Sequence, residues 1–123
     1  MGADSPERAA GPVRIAVFVS GSGTNLQALL DHFNAKESPL ARVTLVVANR
    51  GGIQALERAE RAGVPAVVIG TANQDAATVA ERMLAVLEEY RIQLIVLAGY
   101  LKLVPPEVVA RYRGRMLNIH PAL

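Results

Sequence analysis

The feature that most restricts how this chain can fold is an apolar strand that runs straight into a glycine loop and then a helix. The run Val13–Val19 is apolar apart from Arg14 and rich in β-branched residues, which is typical of a strand buried on both faces of a parallel sheet. Residues 20–25, with the sequence SGSGTN, follow as a tight turn of glycines and hydroxyls. Leucines at helical spacing come next, with Thr24 or Asn25 predicted as the helix cap. Such a turn presents backbone N–H groups to an anion.

Apolar strands and amphipathic helices alternate through the rest of the chain. Further strands are predicted at residues 43–48, 64–69, 92–98 and 116–119, and helices at 24–34, 53–62, 74–90 and 105–112. This alternation predicts an α/β fold, a Rossmann-like three-layer sandwich with a mostly parallel sheet and helices on both faces. Residues 1–12 are predicted to be a flexible N-terminal tail, and residues 13–123 to form the folded domain.

The usual strand order for a mononucleotide-binding half, 3-2-1-4-5, brings three stretches of this chain to one crevice. They are the glycine loop after the first strand, residues 99–102 after the fourth, and residues 118–120 after the fifth. We therefore expect the functional site at the carboxyl ends of these strands.

Composition excludes several classes of function. The chain has no Cys and two His, so a metal site is not expected. The formal net charge of +2 is too small for a nucleic-acid-binding face. No apolar run approaches the roughly 20 residues of a membrane span. The charged beginning of the chain does not resemble a secretory signal, and a cytoplasmic location is expected.

The glycine loop fits a single phosphate better than the larger phosphate groups. It lacks the Lys-Ser/Thr pair of a P-loop, and Leu26 occupies the third glycine position of a dinucleotide fingerprint. Backbone N–H groups and the Thr24 hydroxyl would bind one phosphate. The alternative is a glycine turn that merely connects strand to helix.

Two further stretches carry candidate chemistry. Asn118 and His120 would point to one side of an extended segment, and an amide beside an imidazole suits acyl transfer to an amine. A histidine satisfied by backbone contacts is the alternative. The apolar residues of the 101–104 loop either cover the core or form the wall of a slot for a flat heteroaromatic ring. His32, on the first helix, is predicted to be a surface or boundary residue.

Three motifs resemble phosphoribosylglycinamide formyltransferases, the folate-dependent enzymes of purine synthesis. They are FVSGSGTNLQAL at residues 18–29, VLAGYLKL at 96–103 and LNIHPAL at 117–123. The N-x-H-P segment is shared with methionyl-tRNA formyltransferases and formyltetrahydrofolate hydrolases, whereas the S-G-x-G-[ST]-N-L-Q loop distinguishes this family. The resemblance implies that residues 13–123 are the nucleotide-binding half of a formyltransferase domain, whose C-terminal part is absent from this chain.

The resemblance also implies substrates and residue roles. Glycinamide ribonucleotide would bind through its phosphate, and 10-formyltetrahydrofolate would be the co-substrate, with no metal. It implies phosphate binding by Gly23, Thr24 and Asn25, folate contacts by Leu101, Lys102, Leu103, Val104 and Asn118, and catalysis by Asn118 and His120. A homodimer is also compatible with the resemblance.

Two departures from the family pattern affect these expectations. The family arginine near the folate tail has no counterpart among residues 75–78, and the family aspartate that pairs with the histidine would come after Leu123. The isolated 123-residue chain is therefore expected to be inactive as an enzyme. Two alternative functions stay open, a non-catalytic phosphate-binding or nucleotide-binding module and a formyltetrahydrofolate hydrolase.

Overall fold

A five-stranded parallel sheet with helices on both faces forms the fold in the computed structural model, which describes residues 11–119. The strands are β1 Val13–Val19, β2 Ala41–Ala48, β3 Ala66–Val68, β4 Leu94–Ala98 and β5 Met116–Ile119. The helices are α1 Thr24–Leu29, α2 Gln54–Arg61, α3 Ala76–Glu89 and α4 Pro106–Arg111, and α1 continues into a π-helical turn, Leu30–Asn34. The strand order is β3-β2-β1-β4-β5. The predicted fold class and strand order are both confirmed.

Two separate hydrophobic clusters cover the two faces of the sheet. On one face, Leu26 of α1 and Ala55 and Ala59 of α2 pack against the side of β1 that carries Val17. On the other face, Met83 of α3 packs against the side that carries Phe18. Successive side chains of a strand point to opposite faces, so a central strand covered on both sides has to be apolar throughout. This explains why β1 is apolar from Ile15 to Val19, the part that is buried on both faces.

The sheet departs from the predicted strands in several places. β2 begins at Ala41 rather than at residue 43, and β4 begins at Leu94 rather than at residue 92. The register between β1 and β2 shifts at Ile15 and Ala16, because Thr44 is an extra residue in β2 and forms a β-bulge. The predicted strand at 64–69 is shorter, at Ala66–Val68, although Ile69 N–H still donates to Ala48 O at 2.8 Å. This strand lies at the edge of the sheet, where pairing comes from one side alone.

Glycine ends the second helix as predicted. Gly63 follows α2 with φ of 71°, a left-handed conformation that favours glycine. Of the predicted tail, Gly11 and Pro12 belong to the described residues, and residues 1–10 lie outside them. Across residues 11–119, no helix has the length and apolar character needed to span a membrane.

Candidate functional site

The carboxyl ends of β1, β4 and β5 lie side by side. The register aligns Phe18 of β1 with Leu97 of β4, and Leu97 with Asn118 of β5. A hydrogen bond from Leu101 N–H to Ser20 Oγ, 2.8 Å long, joins the loop after β4 to the glycine loop. Two of the three predicted stretches are thus in direct contact. The third reaches this edge through Asn118, while His120 lies outside the described residues.

The glycine loop leads into α1 through Gly23, which is the N-cap residue of the helix. Gly23 has φ of 78°, and no side chain caps the helix. The prediction that Thr24 or Asn25 caps α1 is therefore wrong. The left-handed backbone disfavours any residue with a Cβ, and a Cβ at this position would lie 2.7 Å from that of Ala55.

The missing side-chain cap leaves the first turn of α1 open for a ligand. The N–H groups of the first turn of any helix have no partner within the helix, and a capping side chain normally satisfies one or two of them. In α1 that side chain is absent. The exposed Thr24 and the half-buried Asn25 follow directly in this turn. An anion with several oxygens would satisfy such N–H groups, as the sequence analysis expected.

A second loop borders the glycine loop on the side of β2. A shallow cavity of about 380 Å³ lies between them, and it is lined by Gly21, Ser22, Arg50, Gly51, Gly52, Ile53 and Gln54. Arg50 is the charged residue in this lining, and it was not among the predicted site residues. Its signal in the sequence is its place directly after β2, at the same edge of the sheet as the glycine loop.

Comparison with protein families decides the relationship of this chain. The family model described as formyl transferase matches residues 13–123, which include the glycine loop and Asn118. The chain belongs to the formyl transferase family.

Individual relatives of this formyl transferase chain agree with the family match. The chain is 40% identical over 112 residues to the trifunctional purine biosynthetic protein adenosine-3 of Gallus gallus, a match that covers 90% of this chain and 11% of that protein. It is 36% identical over 111 residues to phosphoribosylglycinamide formyltransferase of Haemophilus influenzae, covering 89% of this chain and 52% of that protein. The chain thus spans about half the length of this bacterial relative.

A solved structure shows the same fold. Glycinamide ribonucleotide transformylase 1 from Geobacillus kaustophilus superposes with a TM-score of 0.81 at 42% sequence identity, covering 91% of this chain and 60% of that one. The formyl transferase fold expected from the sequence is therefore confirmed.

The loop after β4 divides into an exposed part and a packed part in this formyl transferase chain. Leu101 and Leu103 are 83% and 93% exposed, and Lys102 is exposed as well. Val104 is half-buried and packs against the cluster that contains α3 and α4. Covering the core therefore accounts for Val104, whereas Leu101 and Leu103 are available to contact a ligand at the site.

Asn118 lies in β5 with its side chain exposed at the carboxyl edge. His32, by contrast, is an exposed residue of the π-helical turn, and its ring stacks edge to face on Phe33 with 4.7 Å between centroids. The prediction that His32 is a surface or boundary residue is confirmed. The described part of the chain contains no group of three His, Asp or Glu side chains that could hold a metal ion.

Ser20 begins the glycine loop, and no individual role was predicted for it from the sequence. It is 3% exposed, and its hydroxyl accepts the hydrogen bond from Leu101 N–H described above. The sequence signal for this role is a serine directly after the apolar residues 15–19, since a hydroxyl buried there needs a hydrogen-bond partner.

We predict that Ser20→Ala weakens binding at the folate site that the family resemblance implies, because the contact between the two loops is lost. The free energy of unfolding should fall by about 1 kcal/mol, and the Kd for a folate ligand should rise by about fivefold. Urea unfolding and a folate titration measure the two effects. Ser38→Ala is the matched control, because Ser38 Oγ accepts from Leu40 N–H at 3.1 Å in an exposed turn away from the site. An unchanged folate Kd in Ser20→Ala would contradict this role.

Two tyrosines, Tyr100 beside the site and Tyr112 near the amino end of β4, have raised pKa values for a common reason. Burial raises the pKa of Tyr100 above 10.0, and burial also raises the pKa of Tyr112 in spite of the nearby Arg115 and Arg111. The Tyr112 hydroxyl donates to Ile92 O at 2.8 Å. The Tyr100 hydroxyl is buried and has no hydrogen-bond partner among the described residues, while its ring packs edge to face on Phe18 at 5.3 Å.

We predict opposite effects of removing these two hydroxyls. Tyr100→Phe should raise the free energy of unfolding at pH 8 by about 1 kcal/mol, because a buried hydroxyl without a partner is removed. Tyr112→Phe should lower it by about 1 kcal/mol, because a hydrogen bond is lost.

The same substitutions should change the response to alkaline pH. The raised pKa values mean that the folded state keeps these protons longer than the unfolded chain, so stability is present below pH 10.0 and is lost as pH rises through the folded pKa. Tyr100→Phe should therefore lose less stability than the unchanged protein between pH 8 and pH 11 in urea unfolding. An equal loss would show that Tyr100 does not titrate differently in the two states.

Proposed function

We propose that this chain binds glycinamide ribonucleotide and takes part in the transfer of a formyl group to its amine from 10-formyltetrahydrofolate, a step of purine (IMP) biosynthesis. Support comes from the family match and from the names of the relatives, which include a phosphoribosylglycinamide formyltransferase and a purine biosynthetic protein. The observation that carries the proposal is the start of α1, whose N-cap residue Gly23 has no side chain to cap the helix, so that N–H groups are offered to one phosphate.

In this proposal, the substrate phosphate binds to the N–H groups of Gly23, Thr24 and Asn25 and to the Thr24 hydroxyl. The phosphate fixes one end of the ribonucleotide, so that the amine at the other end meets the formyl carbon at a high effective concentration. The exposed Leu101 and Leu103, with Lys102, border the folate ring. The backbone N–H and C=O groups of their loop form hydrogen bonds with the edge of this ring.

Asn118 and His120 are the proposed catalytic residues. 10-Formyltetrahydrofolate supplies the formyl group. The amine nitrogen forms a bond to the formyl carbon, negative charge develops on the formyl oxygen, and the Asn118 side-chain amide donates a hydrogen bond to that oxygen. The bond from the carbon to the folate nitrogen then breaks, and His120 carries the proton lost by the amine to the departing nitrogen.

The test of this function is the consumption of 10-formyltetrahydrofolate by the protein at its natural length. The proposal predicts that turnover depends on glycinamide ribonucleotide and yields the formylated amine. Equal turnover without the ribonucleotide would identify a hydrolase. Binding of the ribonucleotide without any turnover would identify a binding module.

We also propose that the protein forms a homodimer and that it is located in the cytoplasm. Sedimentation equilibrium of the natural-length protein measures the first, and the second requires localisation in the cell of origin.

A further inference from the structure

The glycine loop is held from behind by α2, through hydrogen bonds to its carbonyl groups. Arg58 Nε donates to Ser22 O at 2.7 Å, and Ala55 N–H donates to Gly21 O at 3.2 Å. Gln27 N–H donates to Gly23 O at 2.8 Å within the first turn of α1. Three successive carbonyls of the loop are thus occupied by protein donors.

The direction of these carbonyls determines the direction of the loop N–H groups. In a trans peptide unit, the C=O of one residue and the N–H of the next point in opposite directions. Because Ser22 O points to Arg58, the N–H of Gly23 points away from α2. Because Gly21 O points to Ala55, the N–H of Ser22 does the same. The contacts behind the loop therefore orient the N–H of Gly23, which is one of the proposed phosphate donors, and the N–H of Ser22 directly before it.

Arg58 is itself held by side chains of α1. One of its terminal nitrogens donates to Gln27 Oε1 at 3.2 Å, and Gln27 Nε2 donates in turn to Asp31 Oδ1 at 2.9 Å. The guanidinium group fits this role because its rigid fork can donate in two directions at once, to the loop and to Gln27. Arg58 and Gln27 are both partly buried between α1 and α2.

We propose that Arg58, oriented by Gln27, is a positioning residue for the glycine loop. This inference rests on the proposed function, because it names what holds the anion-binding N–H groups in place before the substrate arrives. Neither side chain needs to contact the substrate. The pair also gives the glutamine of the S-G-x-G-[ST]-N-L-Q motif a physical role, which is to hold the arginine that orients the loop.

The experiment compares Arg58→Met and Arg58→Lys with Arg61→Met in the protein at its natural length. Arg61 is the matched control, because it lies on the same helix, is exposed, and carries the same charge. Arg58→Met should raise the KM for glycinamide ribonucleotide by about tenfold, with kcat and the KM for 10-formyltetrahydrofolate within about twofold. Arg58→Lys should raise the KM for glycinamide ribonucleotide by about threefold, because an ammonium group keeps the charge but lacks the forked donors of the guanidinium group. In Arg61→Met, the KM for glycinamide ribonucleotide should stay within about twofold of its value in the unchanged protein.

A double-mutant cycle tests the part played by Gln27. If Gln27 acts through Arg58, Gln27→Met combined with Arg58→Met should raise the KM for the ribonucleotide no more than Arg58→Met alone. Additive effects in the double variant would overturn the role of Gln27. An unchanged KM in Arg58→Met, or equal changes in Arg58→Met and Arg61→Met, would overturn the role of Arg58.

A second measurement separates failure of this inference from failure of the proposed function. Amide hydrogen exchange of residues 21–25 without ligand should be faster in Arg58→Met and unchanged in Arg61→Met, whichever substrate the protein uses. If the unchanged protein does not bind glycinamide ribonucleotide, the proposed function fails, and the exchange result decides the positioning role alone. Unchanged exchange in Arg58→Met would overturn that role.

Discussion

His120→Ala should lower the rate of formyl transfer by about a thousandfold while leaving the affinity for glycinamide ribonucleotide close to that of the unchanged protein. The physical reason is that the imidazole carries a proton between the attacking amine and the departing nitrogen, whereas the phosphate binds elsewhere, at the glycine loop. Single-turnover kinetics and a calorimetric titration with the ribonucleotide measure the two quantities.

The chain provides a matched control for this substitution. His32, the other histidine, is exposed on the π-helical turn after α1, and His32→Ala should leave both quantities unchanged. Asn118→Ala should lower the rate by about a hundredfold, because it removes one donor to the developing oxyanion. If His120→Ala kept more than a tenth of the rate, the histidine would not be a catalytic residue.

Gly23→Ala should lower the free energy of unfolding by about 2–4 kcal/mol and abolish measurable binding of the ribonucleotide. Two costs add at this position. The backbone φ of 78° is left-handed, and the new methyl group would lie 2.7 Å from Ala55 Cβ and 2.9 Å from Ala55 Cα. Because Ala55 is on α2, the loop would have to move away from the helix, and its N–H groups would move with it.

Gly51→Ala is the control for the effect of adding a methyl group. Gly51 lies in the neighbouring loop, where a Cβ would meet no atom within 4 Å and where φ is not positive. The free energy of unfolding of Gly51→Ala should differ from that of the unchanged protein by less than about 0.5 kcal/mol. Urea unfolding of both variants, with a ribonucleotide titration, makes the comparison. Equal stability of Gly23→Ala and the unchanged protein would contradict the role assigned to the close contact with Ala55.

The order of strands and helices could be predicted because local patterns determine it. β1 and β5 have the predicted bounds, since the apolar runs are flanked by turn residues, and the parallel order follows from alternation and right-handed crossovers. The bulge at Thr44 could not be predicted, because one extra residue does not disturb the apolar pattern by which a strand is recognised in the sequence. It becomes visible when β2 is aligned with β1.

The helix cap shows where sequence reasoning about the site failed. Thr24 and Asn25 are both good capping residues, and that preference led to the wrong position. The left-handed conformation of Gly23 and its contact with Ala55 are tertiary properties, so no local preference reveals them. The same holds for Arg58, which is 36 positions from Ser22 in the sequence but contacts the loop in the fold.

The most direct test of the central claim compares glycinamide ribonucleotide with the same compound lacking its phosphate, as formyl acceptors for the natural-length protein. The claim is that the glycine loop binds the substrate phosphate and thereby brings the amine to the formyl group. It predicts that removing the phosphate lowers kcat/KM by at least about a hundredfold, since binding energy far from the reacting atoms is lost. It also predicts that Gly23→Ala loses this preference. Equal kcat/KM for the two acceptors in the unchanged protein would contradict the claim.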